Sequence, residues 1–285
     1  MAALAAVRLQ ATSTGGSVDP NTPAFSDVSD AVPGDFKVFA QAVEGIALKN
    51  PQLSADLISD SAIRAMVNAS PDCFTTYLKG NTADTGDPGF QSRLLPGSVG
   101  YLAWHAFRRS GPDDIVVQVR SALDALLAQG ARAWLFDWRD NPGGAFATEI
   151  SDWFLNGEPT FLRVSRVGTA TTTSARVERR LPAAYQLPIA IVLNHTSGGA
   201  AEVIAMALKE NHRATIFGTT SAGCLGSNNT IQLPGGGVVL VVVEEFVGPI
   251  SGTHYANRGI EPDIASADDA ALDVATKFLQ SKTRP

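Results

Sequence analysis

Apolar residues along this chain fall into short runs with two periodicities. Ile189–Leu193 is apolar without interruption and predicts a buried strand, and Ala200–Leu208 follows at once as a helix with almost no polar face. The same texture repeats. Val99–Ala106, Ala133–Trp138, Arg213–Gly218, Thr230–Leu233 and Val238–Phe246 read as strands, and Asp114–Ala128, Phe146–Phe154 and Asp268–Leu279 as helices. Strands alternating with helices of this length predict an α/β core with crossover connections, over residues 99–285. Thr160–Arg180, rich in Val, Thr and Arg, fits a hairpin or a mobile strand pair. Upstream, Phe36, Phe39, Val43 and Ile46 recur at helical spacing, and Leu57, Ile58, Ile63, Met66 and Val67 repeat the pattern within Ala55–Val67. These predict a small helical N-terminal subdomain over residues 35–78. Residues 1–34, rich in Ser, Thr, Gly, Pro and Asp, read as a flexible lead-in, and residues 79–98 as a polar linker.

The 285 residues are enough for a sizeable core. No apolar run approaches the about 18 residues of a membrane span. A net charge of −6 with scattered basic residues leaves no electrostatic footprint for nucleic acid. Cys73 and Cys224 are the chain's two cysteines and lack the spacing of a metal motif, so no metal or organic cofactor is implied.

Chemistry enters at two turns. Between Leu193 and Ala200 a strand feeds a helix N-terminus through Ser197, Gly198 and Gly199. Free N–H groups and the positive end of the helix dipole point at whatever occupies such a turn, and many acyl-transfer enzymes seat a nucleophile and oxyanion hole there. In the second, residues 135–146, a strand ends at Trp138, Asn141 and Pro142 turn the chain, and Gly143 and Gly144 expose backbone N–H groups before a helix. Without Cβ atoms that backbone can approach a developing oxyanion closely.

In chain order the blocks resemble the tail-specific, or C-terminal-processing, serine peptidases of family S41. FDWRDNPGG follows the family's D-L-R-x-N-P-G-G, and VGYLAWHAF is similar to its GYI strand. PIAIVLNHTSGGAAE is similar to its P-[IV]-x-V-L-V-N-x-x-S-A-S-A-S-E block. HRATIFGTTSAGCLGS follows GRA-x-x-[IV]-G-x-x-T-x-G-K-G, and NRGIEPDI follows G-x-G-I-x-P-D. The resemblance implies a crotonase-like α/β fold, peptide-bond hydrolysis through an acyl-enzyme, a polypeptide partner, and a secreted or periplasmic setting if a signal peptide has been removed. The family's PDZ domain has no room between Leu78 and Gly100, so residues 79–98 stand in its place.

The departures fall on the reagents. Counted back from Glu202, the nucleophile slot holds Gly199, and the lysine slot of G-K-G holds Cys224. Relatives that use histidine carry it in D-x-H-[ST], which here is Asp72, Cys73, Phe74 and Thr75, so Phe74 takes the histidine slot. Gly143, Gly144 and Ala200 remain as oxyanion donors implied by the resemblance. Ser197 is an alternative nucleophile but reads better as a turn hydroxyl, and His105 is an alternative base but reads better as a packed or surface histidine. His195 is a further candidate beside the turn, while His212 and His254 read as solvent-facing. Three functions follow: an active peptidase with shifted residues, an inactive pseudopeptidase holding an extended peptide or apolar ligand in the retained cleft, and an active peptidase altered at Gly199. Both family base slots border the cleft, so Cys73 and Cys224 are expected to face each other and pair in an oxidising compartment.

Overall fold

The continuous apolar runs become inner strands of a six-stranded sheet, because a strand covered on both faces has no side that must stay polar. The computed structural model describes residues 41–42, 45–46, 50, 53–79, 89–109, 114–144, 148–165, 168–233 and 237–283. Its elements begin with α1 (Ala55–Asn68) and β1 (Thr76–Lys79), followed by β2 (Gln91–Leu95), β3 (Val99–Ala103), α2 (Ile115–Ala128), β4 (Ala133–Asp137) and α3 (Thr148–Asp152). Then come β5 (Pro159–Ser165), β6 (Ala170–Ser174), α4 (Pro182–Tyr185), β7 (Ile189–Leu193), α5 (Ala200–Glu210) and β8 (Ala214–Gly218). The last elements are β9 (Gly226–Gln232), β10 (Gly237–Val247), β11 (Ile264–Ala265) and α6 (Asp268–Thr283). The chain divides into two units, Met1–Ala83 with Asn228–Val242, and Asp84–Ser227 with Val243–Pro285.

In the smaller unit Ser54 caps α1, its Oγ accepting from the Leu57 N–H at 3.2 Å. The Arg64 guanidinium lies over the Tyr77 ring at 5.2 Å, joining α1 to β1. β1 runs antiparallel to the first half of β10, from Thr76 opposite Leu240 to Lys79 opposite Gly237.

In the larger unit the sheet order is β11-β8-β7-β4-β3-β2. β3, β4, β7, β8 and β11 are parallel, and β2 is an antiparallel edge. Side chains alternate between faces. Tyr101, Leu135, Ala190, Val192 and Phe217 pack on Ala271, Ala275 and Leu279 of α6, while Leu102, Trp134, Phe136, Ile191 and Ile216 join the core formed with α2 and α5. Because the central strands are parallel, the segments leaving β3, β4, β7 and β8 all emerge at one end, and that end carries the candidate chemistry.

Several boundaries differ from expectation. The polar linker over residues 79–98 contains β2, whose outer position requires little apolar surface; Arg93 instead lies over the Tyr101 ring at 4.0 Å. Asp114 is the cap of α2 and not its first residue, its Oδ1 accepting from the Val116 N–H at 2.9 Å. The expected hairpin is the antiparallel pair β5–β6. Residues 1–34 and the Phe36, Phe39 and Val43 pattern lie outside the described residues. Among the described residues no helix is long and apolar enough to cross a membrane.

Phe136 is fully buried, stacked on Trp138 at 5.5 Å and edge-on to Trp104 and Phe154. Phe136→Ala is expected to lower unfolding free energy by about 3–5 kcal/mol in denaturant titration, and a loss under about 1 kcal/mol would contradict this packing.

Candidate active site

The N-terminus of α5 is built around a carboxylate. Glu202 is fully buried, and its Oε1 accepts from the Ser221 hydroxyl at 2.5 Å and the Gly223 N–H at 2.7 Å. Its Oε2 accepts from the Cys224 N–H at 2.6 Å and the Gly199 N–H at 3.2 Å. The Gly199 N–H also faces the Cys224 carbonyl at 3.1 Å. Burial holds the Glu202 carboxyl above its ordinary range, with the four donors offsetting part of that rise. The segment holding the lysine slot is therefore clamped to the turn holding the nucleophile slot. That turn is sharp: Gly199 has φ 56° and ψ −123°, a conformation that glycine adopts without strain.

The second glycine turn lies directly against the first. Gly143 has φ 97°, and a Cβ placed on it would stand 2.8 Å from the Gly198 carbonyl oxygen and from Gly199 Cα, and 2.9 Å from the Ala200 nitrogen. The Gly198 N–H donates to the Asn141 carbonyl at 2.8 Å. Asn141 is fully buried; its Nδ2 donates to the Trp104 carbonyl at 2.8 Å and its Oδ1 accepts the Gly143 N–H at 2.9 Å. The N–H of Gly143, expected as an oxyanion donor, is thus taken by a side chain of its own loop. Gly144 forms an isolated bridge with Phe107, which places it against the segment leaving β3.

The remaining sequence candidates are spread more widely. Ser197 is fully buried, its hydroxyl donating to the Trp138 carbonyl at 2.8 Å and accepting from the Asn194 N–H at 2.8 Å. It is a turn hydroxyl whose proton is spent on the Trp138 carbonyl. His105 is exposed after β3, on the side of Asp140, and among the described residues no hydrogen bond joins it to Ser197. The structure therefore does not assemble that pair. His195 and His212 are exposed, and His254, also exposed, faces Glu245 Oε2 at 2.9 Å. Neither Cys73 nor Cys224 is a free thiol: both are disulfide-bonded, so Cys224 carries no thiolate. Phe74 belongs to the smaller unit, where Asp72 organises its turn by accepting from the N–H groups of Phe74 at 3.1 Å and Thr75 at 2.5 Å. The described residues contain no cluster of His, Cys, Asp and Glu able to hold a metal ion.

Sequence reasoning missed the anchoring role of Glu202, although a Glu three residues into a helix is a capping signal. It also missed Asp140. That residue has φ 57°, and its Oδ1 accepts from Asn194 Nδ2 at 2.9 Å and the Thr196 hydroxyl at 2.8 Å. These hydrogen bonds hold its carboxyl below the usual range.

Glu202→Ala takes away the acceptor of the Ser221 hydroxyl and of the Gly223 and Cys224 N–H groups, and is expected to cost about 3 kcal/mol or more of stability by chemical denaturation. A nearly neutral result would show that the clamp is replaceable by water. Gly143→Ala meets three backbone atoms of residues 198–200 in a left-handed conformation, so a loss of at least about 2 kcal/mol is expected in the same assay. An unchanged midpoint would show that the two turns are not in contact.

The comparisons with known proteins agree with this geometry. The model for peptidase family S41 matches residues 98–266. A carboxy-terminal-processing protease of Bartonella bacilliformis is 31% identical over 174 residues, 60% of this chain and 39% of the relative. A carboxyl-terminal-processing protease of Picosynechococcus sp. is 31% identical over 168 residues, 58% of this chain and 38% of the relative. The chain therefore spans about two fifths of the length of these curated relatives. Among solved structures, a lipoprotein from Streptococcus agalactiae superposes with a TM-score of 0.66 at 18% identity, covering 85% of this chain and 88% of that one. A photosystem II D1 C-terminal processing protease gives a TM-score of 0.54 at 22% identity, covering 74% and 54%. These two likenesses show the fold. Matched over more than half its length by the family model, with the family's glycine turns side by side at the start of α5, the chain belongs to peptidase family S41.

Proposed function

We propose that this chain is a peptide-binding member of the family that does not turn its ligand over. The reading rests above all on Gly199: the turn where the family places its nucleophile is retained, and the residue there has no side chain. Three further observations support it. Cys224 occupies the lysine slot as a disulfide-bonded residue, Phe74 occupies the histidine slot, and the hydroxyl of Ser197 is buried and engaged on both sides. The retained cradle of Gly143, Gly144 and Ala200 is assigned to holding a backbone carbonyl or carboxylate of an extended peptide through N–H groups. A crotonase-like core is the finer description we adopt for the sheet with helices on both faces.

Removing nucleophile and base from an acyl-transfer site costs on the order of 10⁶-fold in rate. Incubation with a fluorophosphonate probe is accordingly expected to leave the intact mass unchanged, and fluorescein-labelled casein is expected to bind, by polarisation, without release of fragments. Casein turnover that disappears in Ser197→Ala would overturn this reading in favour of an active enzyme with a displaced serine. Absence of both turnover and binding would remove the peptide from it.

A further inference from the structure

A ligand oxygen cannot take the Gly143 N–H as it stands, because Gly143 is buried against Gly198 and Gly199 and its N–H is taken by Asn141. We propose that residues 138–144 form a strap that carries Gly143 of the cradle, latched at the rim by the Asp140 carboxylate, and that the latch must release before the Gly143 N–H can take a ligand oxygen. This rests on the cradle being the binding site, as argued above.

The strap has a fixed end, a latch and a hinge. At the fixed end Arg139 is held by Asp137, Nε at 2.8 Å from Oδ1 and Nη2 at 2.7 Å from Oδ2, and its Nη1 donates to the Asp268 carbonyl at 2.5 Å, tying the strap to the start of α6. One residue on, Asp140 is exposed in the left-handed region at φ 57°, which costs free energy in a residue with a Cβ and persists only where neighbours enforce it. The enforcing contacts all come from the turn after β7: Asn194 Nδ2 and the Thr196 hydroxyl donate to Asp140 Oδ1, and Asn194 Oδ1 accepts the Asp140 N–H at 3.1 Å. The hinge is Gly143–Gly144, at φ 97° and 127°, a pair that tolerates backbone rotation and is anchored on its far side by the Phe107 N–H donating to the Gly143 carbonyl at 2.8 Å. At the solvent edge the strap is held by the hydrogen bonds of Asp140, and deeper down by the Gly198 N–H on the Asn141 carbonyl and by Asn141 Nδ2 on the Trp104 carbonyl. Breaking the outer set relieves the strain at Asp140 and loosens the segment that presents the Asn141 carboxamide to the Gly143 N–H. The donors to Glu202 come from Gly199, Ser221, Gly223 and Cys224, none of them in the strap, so opening is local.

The test is hydrogen–deuterium exchange of the full chain, read by mass spectrometry in wild type, Thr196→Val and Asp140→Ala. Exchange in peptides covering residues 139–144 is expected to rise about tenfold or more in both variants, the effect of losing a hydrogen bond to a charged group. Peptides covering Gly223 and Cys224, whose N–H groups bond to Glu202, are expected to keep the wild-type rate. Unchanged exchange over 139–144 in both variants would overturn the latch, as would an equal rise at 223–224, which would mean general loosening. No ligand is used, so failure here is separable from failure of the peptide-binding reading.

Discussion

The carboxylate of Glu202 lies where three segments meet: the first turn of α5, the loop from Ser221 to Cys224, and, through the Ser221 hydroxyl that accepts the Ile260 N–H at 2.7 Å, the chain approaching β11. A buried anion is costly unless every lone pair is met, and here each oxygen takes two donors. The arrangement is strongly constraining because four donors must converge on one group; none of the three segments can shift without stranding another. The position of the nucleophile turn is therefore maintained by an interaction that takes no part in nucleophilic attack. This gives a physical reason why the turn keeps its shape around Gly199.

The same self-sufficiency extends to the facing turn. Asn141 is a buried carboxamide that satisfies its own loop, with donor capacity spent on the Trp104 carbonyl and its oxygen on the Gly143 N–H. Beneath it, Trp104, Phe107, Phe136 and Trp138 form an interlocked aromatic group with ring centroids 5.3–6.1 Å apart. The glycine turns thus rest on a packed aromatic floor.

Parallel topology explains why such distant stretches of sequence share one locality. Trp104, Asn141, Ser197 and Ser221 each follow a different parallel strand, and register alone brings their loops to one end of the sheet. α6, the last helix, contributes through its N-terminus: the Asp268 carbonyl receives Arg139, and the Asp268 side chain lies 3.3 Å from Asn194 Nδ2. The closing element thereby stabilises the loops after β4 and β7 as well as the face of the sheet it covers.

By itself the sequence determined the α/β alternation, the strands β4 and β7 as uninterrupted apolar runs, the helix α5, and the two glycine turns, because these depend on local periodicity and on backbone conformations that few residues tolerate. It also determined that position 199, at the head of that helix, is a glycine. Only the tertiary structure decided the rest. β2 reads as linker because an edge strand buries little. Asn228–Val242 joins the first unit through pairing with Thr76–Lys79, a contact between residues far apart in sequence. That Ser197 is a turn hydroxyl, that Glu202 is an anchor, and that the N–H of Gly143 is already taken are all matters of which donor meets which acceptor. Such pairings are set by loops folding onto one another at the end of a sheet, and no local pattern of residues encodes them.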